Sequence, residues 1–320
     1  MKNEKEFPET LLEATKYFAN PDVAHAFMGN MRWPKGVVCP RCNSSRVSFS
    51  AKRRVWTCED CPKRRQFTIK VGTIMEDSPI GLDKWIIGMW LVTSAKNGIS
   101  SYELHRALGI TQKSAWFLGH RIRFALQNGS LEKLSGQCEV DESWIGGSAR
   151  NMHKAKKAKV MKGVQNTALT PVMGLLERGT RERASRVKLQ IIKTTRRAEL
   201  HGNVRKYVLK GGEVHTDSLN AYRGLDADYT HKVVDHAVEY VRGNVHTNGL
   251  ENFWPLLKRT IKGTYVNVEP FHLFRYLDEQ AFRFNERKAD DQGRFLMAVQ
   301  GIVGKRLTYV ILTGKLQNPQ

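Results

Sequence analysis

Long apolar runs are absent from this sequence, and their absence limits the classes to which the protein can belong. No stretch of about 18 consecutive apolar residues occurs, so the sequence offers no membrane-spanning helix. The beginning of the chain, MKNEKEFPET, also lacks the apolar core of a signal peptide. We therefore expect a cytoplasmic protein that makes no membrane contact.

Acidic residues are scarce relative to basic ones. The chain has 52 Lys and Arg but only 31 Asp and Glu, a formal net charge of +21 at pH 7. A surplus this large indicates a polyanionic partner, and nucleic acid is the leading candidate. Residues 146–210 alone contain 17 basic and 3 acidic residues, and we expect the part from Arg150 to Lys210 to bind the DNA backbone without reading sequence. The lysines expected to do so lie in a loop over residues 151–162: Lys154, Lys156, Lys157 and Lys159.

Cysteine is rare as well, and its placement is informative. Four of the five cysteines form two pairs with two residues inside each pair and fifteen between them: Cys39, Cys42, Cys58 and Cys61. Each pair can present two thiolates to one side of a tetrahedral ion, so the spacing predicts a structural Zn²⁺ with no open position. Disulfides are disfavoured in the cytoplasm, and ordinary core cysteines would not need paired spacing. The fifth cysteine, Cys138, is expected to be a buried strand residue.

The first half of the chain has helical periodicity. Residues 8–30 predict two short helices broken at Asn20-Pro21, and residues 81–126 predict a longer helical region. Within that region, a Ser100 or Ser101 cap, a stop at Gly109 and a cap at Thr111 define two helices joined by a tight turn. The pattern is typical of a helix-turn-helix, although a plain helical hairpin would share it. The residues expected to contact DNA from the second helix are Gln112, Lys113 and Arg121.

From Gln137 onward the periodicity changes to that of strands. The stretch QCEVDESWIGG predicts a strand ending in a Gly146-Gly147 turn, with Asp141 on its polar face and Trp144 on its apolar face. Two more strands, a helix, a strand ending at Asp217, a short helix, another strand and a last helix follow. This order is the ribonuclease H-like arrangement, and we therefore expect an α+β or α/β multidomain chain with a mixed sheet flanked by helices. The corresponding ranges are 171–176, 187–192, 195–209, 213–217, 219–225, 232–236 and 245–258.

Three carboxylates sit on these elements in positions that suit a metal site. Asp141 and Asp217 lie on two strands and Glu251 lies on the last helix. Carboxylates are ligands for hard divalent ions, and two such ions can neutralise the attacking and leaving oxygens of a phosphodiester, so we expect Mg²⁺ or Mn²⁺ here. Asn248 and Lys258 share the helical face of Glu251. Because a full negative charge balances two cations better than an amide, we expect Glu251 as third ligand, Asn248 as an accessory ligand and Lys258 as a phosphate contact.

Pro255 lies inside the last helix, where it removes a backbone donor and crowds the carbonyl of Glu251 at a cost of roughly 3 kcal/mol. The helix is therefore expected either to kink at Pro255 or to begin near Asn252.

Several segments resemble bacterial insertion-sequence transposases that join an N-terminal zinc ribbon to a DDE-type, ribonuclease H-like catalytic domain. The resemblance implies metal-dependent DNA cleavage and strand transfer at the ends of a mobile element. It also implies double-stranded DNA, both element ends and target, as the partner of a homo-oligomer of at least two chains. The segments are RWPKGVVCPRC (32–42), QFTIKVGTIMEDSPIGLDKW (66–85), VDESWIGG (140–147), VHTDSLNAY (214–222), EYVRGNVHTNGLENFWPLLKRTIKGTY (239–265) and YLDEQAFRFNER (276–287).

Four regions are expected along the chain. They are N-terminal helices with the zinc ribbon (1–75), a helix-turn-helix-like region (76–130), the catalytic domain (136–290) and a C-terminal extension (291–320). Two alternatives stay open at this point: a non-catalytic DNA-binding regulator derived from such a transposase, and a ribonuclease H-like nuclease without strand transfer.

Overall fold

The computed structural model divides the chain into two compact units, Met1–Gln127 with Ala289–Gln320, and Asn128–Lys288. This division by compactness does not test the four functional regions predicted from the sequence, and they stay a prediction. The residues that the structure describes are 7–127, 132–146, 154, 169–234, 245–266 and 268–314.

The first unit opens with the two short helices predicted from the sequence. Thr10 and Glu13 form a reciprocal capping box before α1. Asn20 caps α2, and Pro21 occupies its first turn, where the missing N–H costs nothing. The two helices are α1 (Leu11–Phe18) and α2 (Pro21–Arg32).

The remaining helices of this unit surround a core that includes the buried side chains of Trp85, Trp90 and Phe295. Ser100 caps one helix, Gly109 ends it with a positive φ of 58°, and Thr111 caps the next, as the sequence predicted. The helices are α3 (Leu82–Ser94), α4 (Ser101–Leu108), α5 (Gln112–Leu126), α9 (Asp291–Gln300) and α10 (Tyr309–Leu312).

The cysteine region of the first unit is a three-stranded antiparallel sheet in the order β1-β2-β3. Its strands are β1 (Val47–Ser50), β2 (Val55–Cys58) and β3 (Gln66–Phe67). Trp56 of the central strand stacks on Phe67, with ring centroids 5.8 Å apart. So small a sheet buries little apolar area, and a bound metal is the usual way to stabilise such a fold.

The second unit is built on a five-stranded mixed sheet in the order β6-β5-β4-β7-β8. The three strands from β4 to β6 pair antiparallel, whereas β4–β7 and β7–β8 are parallel. This confirms the predicted mixed sheet flanked by helices, although two short 3₁₀ turns replace the short helix expected over 219–225. The elements are β4 (Cys138–Ile145), β5 (Thr170–Glu177), β6 (Arg186–Ile191), α6 (Arg197–Tyr207), β7 (Glu213–Asp217), β8 (Thr230–Val234), α7 (Asn248–Thr260) and α8 (Leu273–Asn285).

Both faces of this sheet are covered, so neither face of β4 is open to solvent along its whole length. On one face Cys138 and Val140 pack with Leu200 and Val204 of α6. The other face is covered by α7 and α8. The expected alternation holds for Glu139 and Asp141, which both bond to α7 on the face opposite Cys138 and Val140, but it does not predict exposure: Glu139 is 1% exposed, whereas Trp144 is 44% exposed near the end of the strand. A central strand between two helical layers buries residues from both faces, which alternation alone does not reveal.

Helix α7 begins at Asn248 and runs through Pro255 to Thr260. Of the two expected effects of Pro255, a start near Asn252 is therefore wrong, and a kink at Pro255 stays a prediction. The helix buries an apolar face that includes Leu250, Phe253 and Leu257, and this burial offsets the backbone bond that Pro255 cannot make. A π-helical turn, Ile261–Tyr265, follows it.

Within the described residues, no helix is both long enough and apolar enough to span a membrane.

Candidate active site

The two predicted aspartates lie on neighbouring strands, Asp141 in the middle of β4 and Asp217 at the carboxyl end of β7. These strands pair parallel, with Cys138 beside Val214 and Glu139 beside His215. The paired residues end there, but Asp141 and Asp217 each lie two residues further along their strands, and the two carboxylates are close enough to interact electrostatically. Asp217 is the last residue of β7, so its carboxylate lies where that strand ends.

The carboxylate of Asp141 is held by two N–H donors. Its Oδ1 accepts from the backbone N–H of Glu142 at 2.8 Å, and its Oδ2 accepts from the indole N–H of Trp254 at 2.8 Å. Burial raises the pKa of Asp141, and the negative charges of Asp217 and Glu251 add to the rise, while the two N–H bonds oppose it. Asp141 is thus tied to α7 through Trp254.

Asp217 and Glu251 are each held by a local bond. Asp217 Oδ1 accepts from the backbone N–H of Leu219 at 3.1 Å, and Glu251 Oε1 accepts from the Thr247 hydroxyl at 3.0 Å. Asp217 is half-buried and Glu251 is exposed. Asp217 and Glu251 both interact electrostatically with Asp141, so the three predicted acids lie near one another.

The chemistry of this donor set fits hard divalent cations, since three carboxylates supply oxygen ligands and negative charge. The three acids are not packed as tightly as a single-ion site requires. Among the residues that the structure describes, the only group of three or more potential ligand side chains with all ligand atoms within 4.8 Å is the cysteine cluster.

Asn248 and Lys258 flank Glu251 on α7. Asn248 is the first residue of the helix and is half-buried, and Lys258 is exposed one turn beyond Trp254. Their positions are compatible with the accessory and phosphate-contact roles predicted for them, and these roles stay predictions.

Glu139 holds α7 against β4, a function that the sequence did not reveal. Its Oε2 accepts from the backbone N–H of Leu250 at 3.0 Å, and its Oε1 accepts from Arg178 Nε at 2.7 Å. A Cβ at Gly249 would lie 2.7 Å from Glu139 Oε2, so only glycine permits this approach. Glu139 and Gly249 lie far apart in the chain, and nothing in the sequence pairs them.

Glu142 and Tyr222 form a second unforeseen pair, beside the aspartates. The Tyr222 hydroxyl donates to Glu142 Oε1. Burial raises the pKa of Glu142 to about 7, with the charges of Asp141 and Asp217 contributing, although the Tyr222 bond acts in the opposite direction. Burial also raises the pKa of Tyr222, so its hydroxyl remains a donor at neutral pH.

The four predicted zinc ligands do converge. Sγ–Sγ distances are 3.6 Å for Cys39–Cys61, 3.5 Å for Cys42–Cys58 and 3.4 Å for Cys61–Cys42. A disulfide needs about 2.05 Å, whereas sulfurs at about 2.3 Å from a tetrahedral zinc lie about 3.8 Å apart. Burial would raise the pKa of Cys39, but the backbone N–H groups of Arg41 and Cys42, together with the thiols of Cys61 and Cys42, outweigh it and lower that pKa to about 7. The donor set fits one structural zinc.

The predicted DNA contacts are only partly on the surface. Lys113 is exposed, and Gln112 donates to the Ser101 hydroxyl at 2.9 Å. Arg121 is 5% exposed, and its guanidinium donates to the carbonyls of Leu307 at 3.0 Å and Glu76 at 2.9 Å. That burial contradicts a DNA contact by Arg121.

The basic segment between residues 146 and 210 is also partly internal. Arg178 and Arg186 pair with buried Glu139 and Glu177, so their charge is compensated within the fold. Lys154 is exposed. The other three loop lysines, Lys156, Lys157 and Lys159, lie outside the described residues.

Comparisons with known proteins bear on both units. The family profile described as a transposase zinc-ribbon domain matches residues 20–64, and the profile described as an ISXO2-like transposase domain matches residues 133–285. An uncharacterized protein in the transposable element ISH50 of Halobacterium salinarum is 27% identical over 263 residues, covering 76% of this chain and 84% of that protein. No solved structure matches the chain. The chain therefore combines a transposase zinc-ribbon domain with an ISXO2-like transposase domain.

Proposed function

We propose that this protein binds the ends of a mobile DNA element and catalyses their metal-dependent cleavage and strand transfer. The observation that supports the proposal is the electrostatic interaction of Asp141 with both Asp217 and Glu251, together with the Trp254 bond that ties α7, which carries Glu251, to Asp141. Three carboxylates in one neighbourhood repel one another, and even in a chain of net charge +21 this repulsion destabilises the folded state unless the acids have a function such as binding cations.

Asp141, Asp217 and Glu251 would hold two Mg²⁺ or Mn²⁺ ions, and Asn248 would assist from the start of α7. When bound, such ions neutralise charge on the attacking and leaving oxygens of the phosphodiester. Lys258, exposed on the same helix, would contact a phosphate near the scissile bond. In this reaction class water attacks the phosphodiester first, and the freed 3′ hydroxyl then attacks the target strand.

The other parts of the chain would deliver DNA to this centre. Cys39, Cys42, Cys58 and Cys61 would fold the ribbon around Zn²⁺. Gln112, Lys113 and the lysines of the 151–162 loop would contact element-end or target DNA, and at least two chains would assemble on it. The cytoplasmic nucleoid is the compartment in which we expect the protein.

The assignment of the third ligand is tested by exchanging single groups on α7. Glu251→Gln should abolish Mg²⁺-dependent cleavage of labelled element-end DNA while retaining end binding, because it removes a ligand charge and little volume. Asn248→Ala should reduce cleavage only in part. Glu182→Gln, the same chemical change at an exposed acid, is the matched control and should leave cleavage unchanged.

The possible outcomes separate the alternative functions. If Glu251→Gln stays active and Asn248→Ala does not, the two roles must be exchanged. Cleavage without joined products on a target plasmid would identify a nuclease, and end binding without cleavage would identify a regulator.

A further inference from the structure

Among the hydrogen bonds of the described residues, the one that joins α7 to Asp141 comes from the indole N–H of Trp254. Trp254 is buried, 5% exposed, and its Nε1–H lies 2.8 Å from Asp141 Oδ2. A buried tryptophan needs an acceptor for its N–H, but a neutral carbonyl would satisfy it. Here the acceptor is the carboxylate that we place at the centre of the metal site.

The two hydrogen bonds that Asp141 accepts fix the orientation of its carboxylate and leave lone pairs available for a cation. Each oxygen accepts one N–H bond, from Glu142 on Oδ1 and from Trp254 on Oδ2. A carboxylate oxygen has two lone-pair sites, so one remains on each oxygen for a cation. The backbone bond alone would leave the carboxylate free to turn about χ2, whereas the second bond, from another element, sets its plane.

Gly174 makes room for this arrangement. Gly174 of β5 pairs with Asp141 in the sheet. A Cβ at this position would lie 2.8 Å from both Cζ2 and Cη2 of the Trp254 ring and 2.8 Å from Leu250 Cδ2. Any larger residue would displace the ring from the sheet, and the indole N–H would move with it.

We propose that Trp254 is a positioning residue for the metal site: seated over Gly174, its indole N–H orients the Asp141 carboxylate toward the divalent cations. This inference rests on the proposed function in that it takes Asp141 as a metal ligand. Bonds of this kind around metal ligands typically change ion affinity by about 10- to 100-fold when they are removed.

The first test replaces Trp254 by Phe, which keeps an aromatic ring over Gly174 and removes the donor. We expect Mn²⁺ binding to the full chain, measured by calorimetry, to weaken by about tenfold or more. The Mg²⁺ concentration for half-maximal cleavage should rise by a similar factor, while the maximal rate at saturating Mg²⁺ should change much less. Phe253→Leu, which removes buried aromatic volume from the neighbouring position without touching Asp141, is the matched control.

A second variant disturbs the same hydrogen bond through Gly174, the residue on which the Trp254 ring packs. Gly174→Ala leaves the indole intact but displaces its ring, so it should reproduce the loss of ion affinity. In the Trp254→Phe background the same change should add little, because the donor is already absent.

The inference is overturned if Trp254→Phe binds Mn²⁺ as the wild type does and loses only as much thermal stability as Phe253→Leu, since that result describes a packing residue. Failure of the proposed function gives a different result. If the wild-type protein does not cleave element-end DNA, the calorimetric comparison between Trp254→Phe and wild type still decides whether Trp254 orients a cation ligand.

Discussion

At the scale of single residues, the partner of a charged group decides its role in this protein more than its charge does. Arg121 donates to the carbonyls of Leu307 and Glu76, and Arg178 pairs with Glu139. In a chain with net charge +21 both arginines resemble DNA contacts. Their burial instead makes them internal ties, because an unpaired buried guanidinium would be costly.

Glu142 provides a pH-dependent prediction at this scale. Its pKa is raised to about 7 from 4.5, chiefly by burial. An acid whose pKa is higher in the folded than in the unfolded state makes its full contribution to stability below the unfolded pKa, here 4.5. That contribution is lost as the pH rises through the folded pKa of about 7. Glu142→Gln should therefore raise the free energy of unfolding at pH 8 by roughly 1 to 3 kcal/mol relative to its effect at pH 4. Urea unfolding of both proteins across this range, without divalent ions, measures the difference.

Glu213 supplies a control of opposite sign. Bonds from Lys232 and His215 lower the pKa of Glu213 to about 2. Its stabilising contribution is present above pH 4.5 and is lost as the pH falls toward 2, so Glu213→Gln should cost a constant amount between pH 5 and 8. A Glu142→Gln effect that is equally flat would contradict the prediction.

At the scale of elements, α7 is held in place by contacts along its whole length. Glu139 binds the N–H of Leu250 in its first turn, Trp254 binds Asp141, and Leu257 lies in the core between α7 and the sheet. Pro255 interrupts the helix bonds but not this packing. The element is thus positioned by tertiary contacts and not by helix propensity.

Pro255→Ala is expected to stabilise the second unit. Alanine restores the bond to the Glu251 carbonyl and removes the crowding of the proline ring, which together should raise the free energy of unfolding by roughly 1 to 3 kcal/mol. Thermal or urea unfolding measures this. Leu256→Ala, at a half-exposed neighbour on the same helix, should change stability by no more than about 1 kcal/mol. Loss of stability in Pro255→Ala would mean that the helix needs the proline geometry.

The zinc ribbon yields a second prediction for an element. Purified protein should contain one zinc per chain, and Cys58→Ser should lose it, because Cys58 ends β2 and removing one thiolate opens the tetrahedral set. The ribbon should unfold while the sheet of the second unit keeps its own transition in calorimetry. Elemental analysis gives the metal content. Cys138→Ala, at a buried cysteine outside the cluster, should retain the zinc.

At the scale of the whole molecule, the surplus of positive charge predicts salt-dependent binding to unrelated duplex DNA. Neutralising Lys154, Lys156, Lys157 and Lys159 together should reduce the slope of log affinity against log salt by up to about 4, since each phosphate contact contributes about 0.9. Fluorescence anisotropy across salt concentrations measures the slope. Lys210 and Lys232 are paired with Asp228 at 3.2 Å and Glu213 at 2.8 Å, so neutralising them should leave the slope nearly unchanged.

An unaltered slope in the four-lysine variant would assign those lysines to solubility. The basic residues that bind DNA would then have to be sought on other surfaces of the chain, such as the exposed Lys113 of α5.

The sequence by itself determined the features that depend on neighbouring residues. The caps at Thr10, Ser100 and Thr111, the stop at Gly109 and the paired cysteines were all predictable, because capping and turn bonds join residues within about four positions. The strand and helix order of the second unit followed from periodicity. The two strands and the helix on which the three acids lie were therefore also predictable.

Only the tertiary structure decided how those elements meet. The bonds from Trp254 to Asp141 and from Leu250 to Glu139 join residues 113 and 111 positions apart, and Arg121 reaches Leu307 across 186. No local pattern encodes such a contact, because burial and partner are set by packing between elements. The identity of the acids was in the sequence, but the orientation of Asp141 and the compensation of the buried charges exist only in the folded chain.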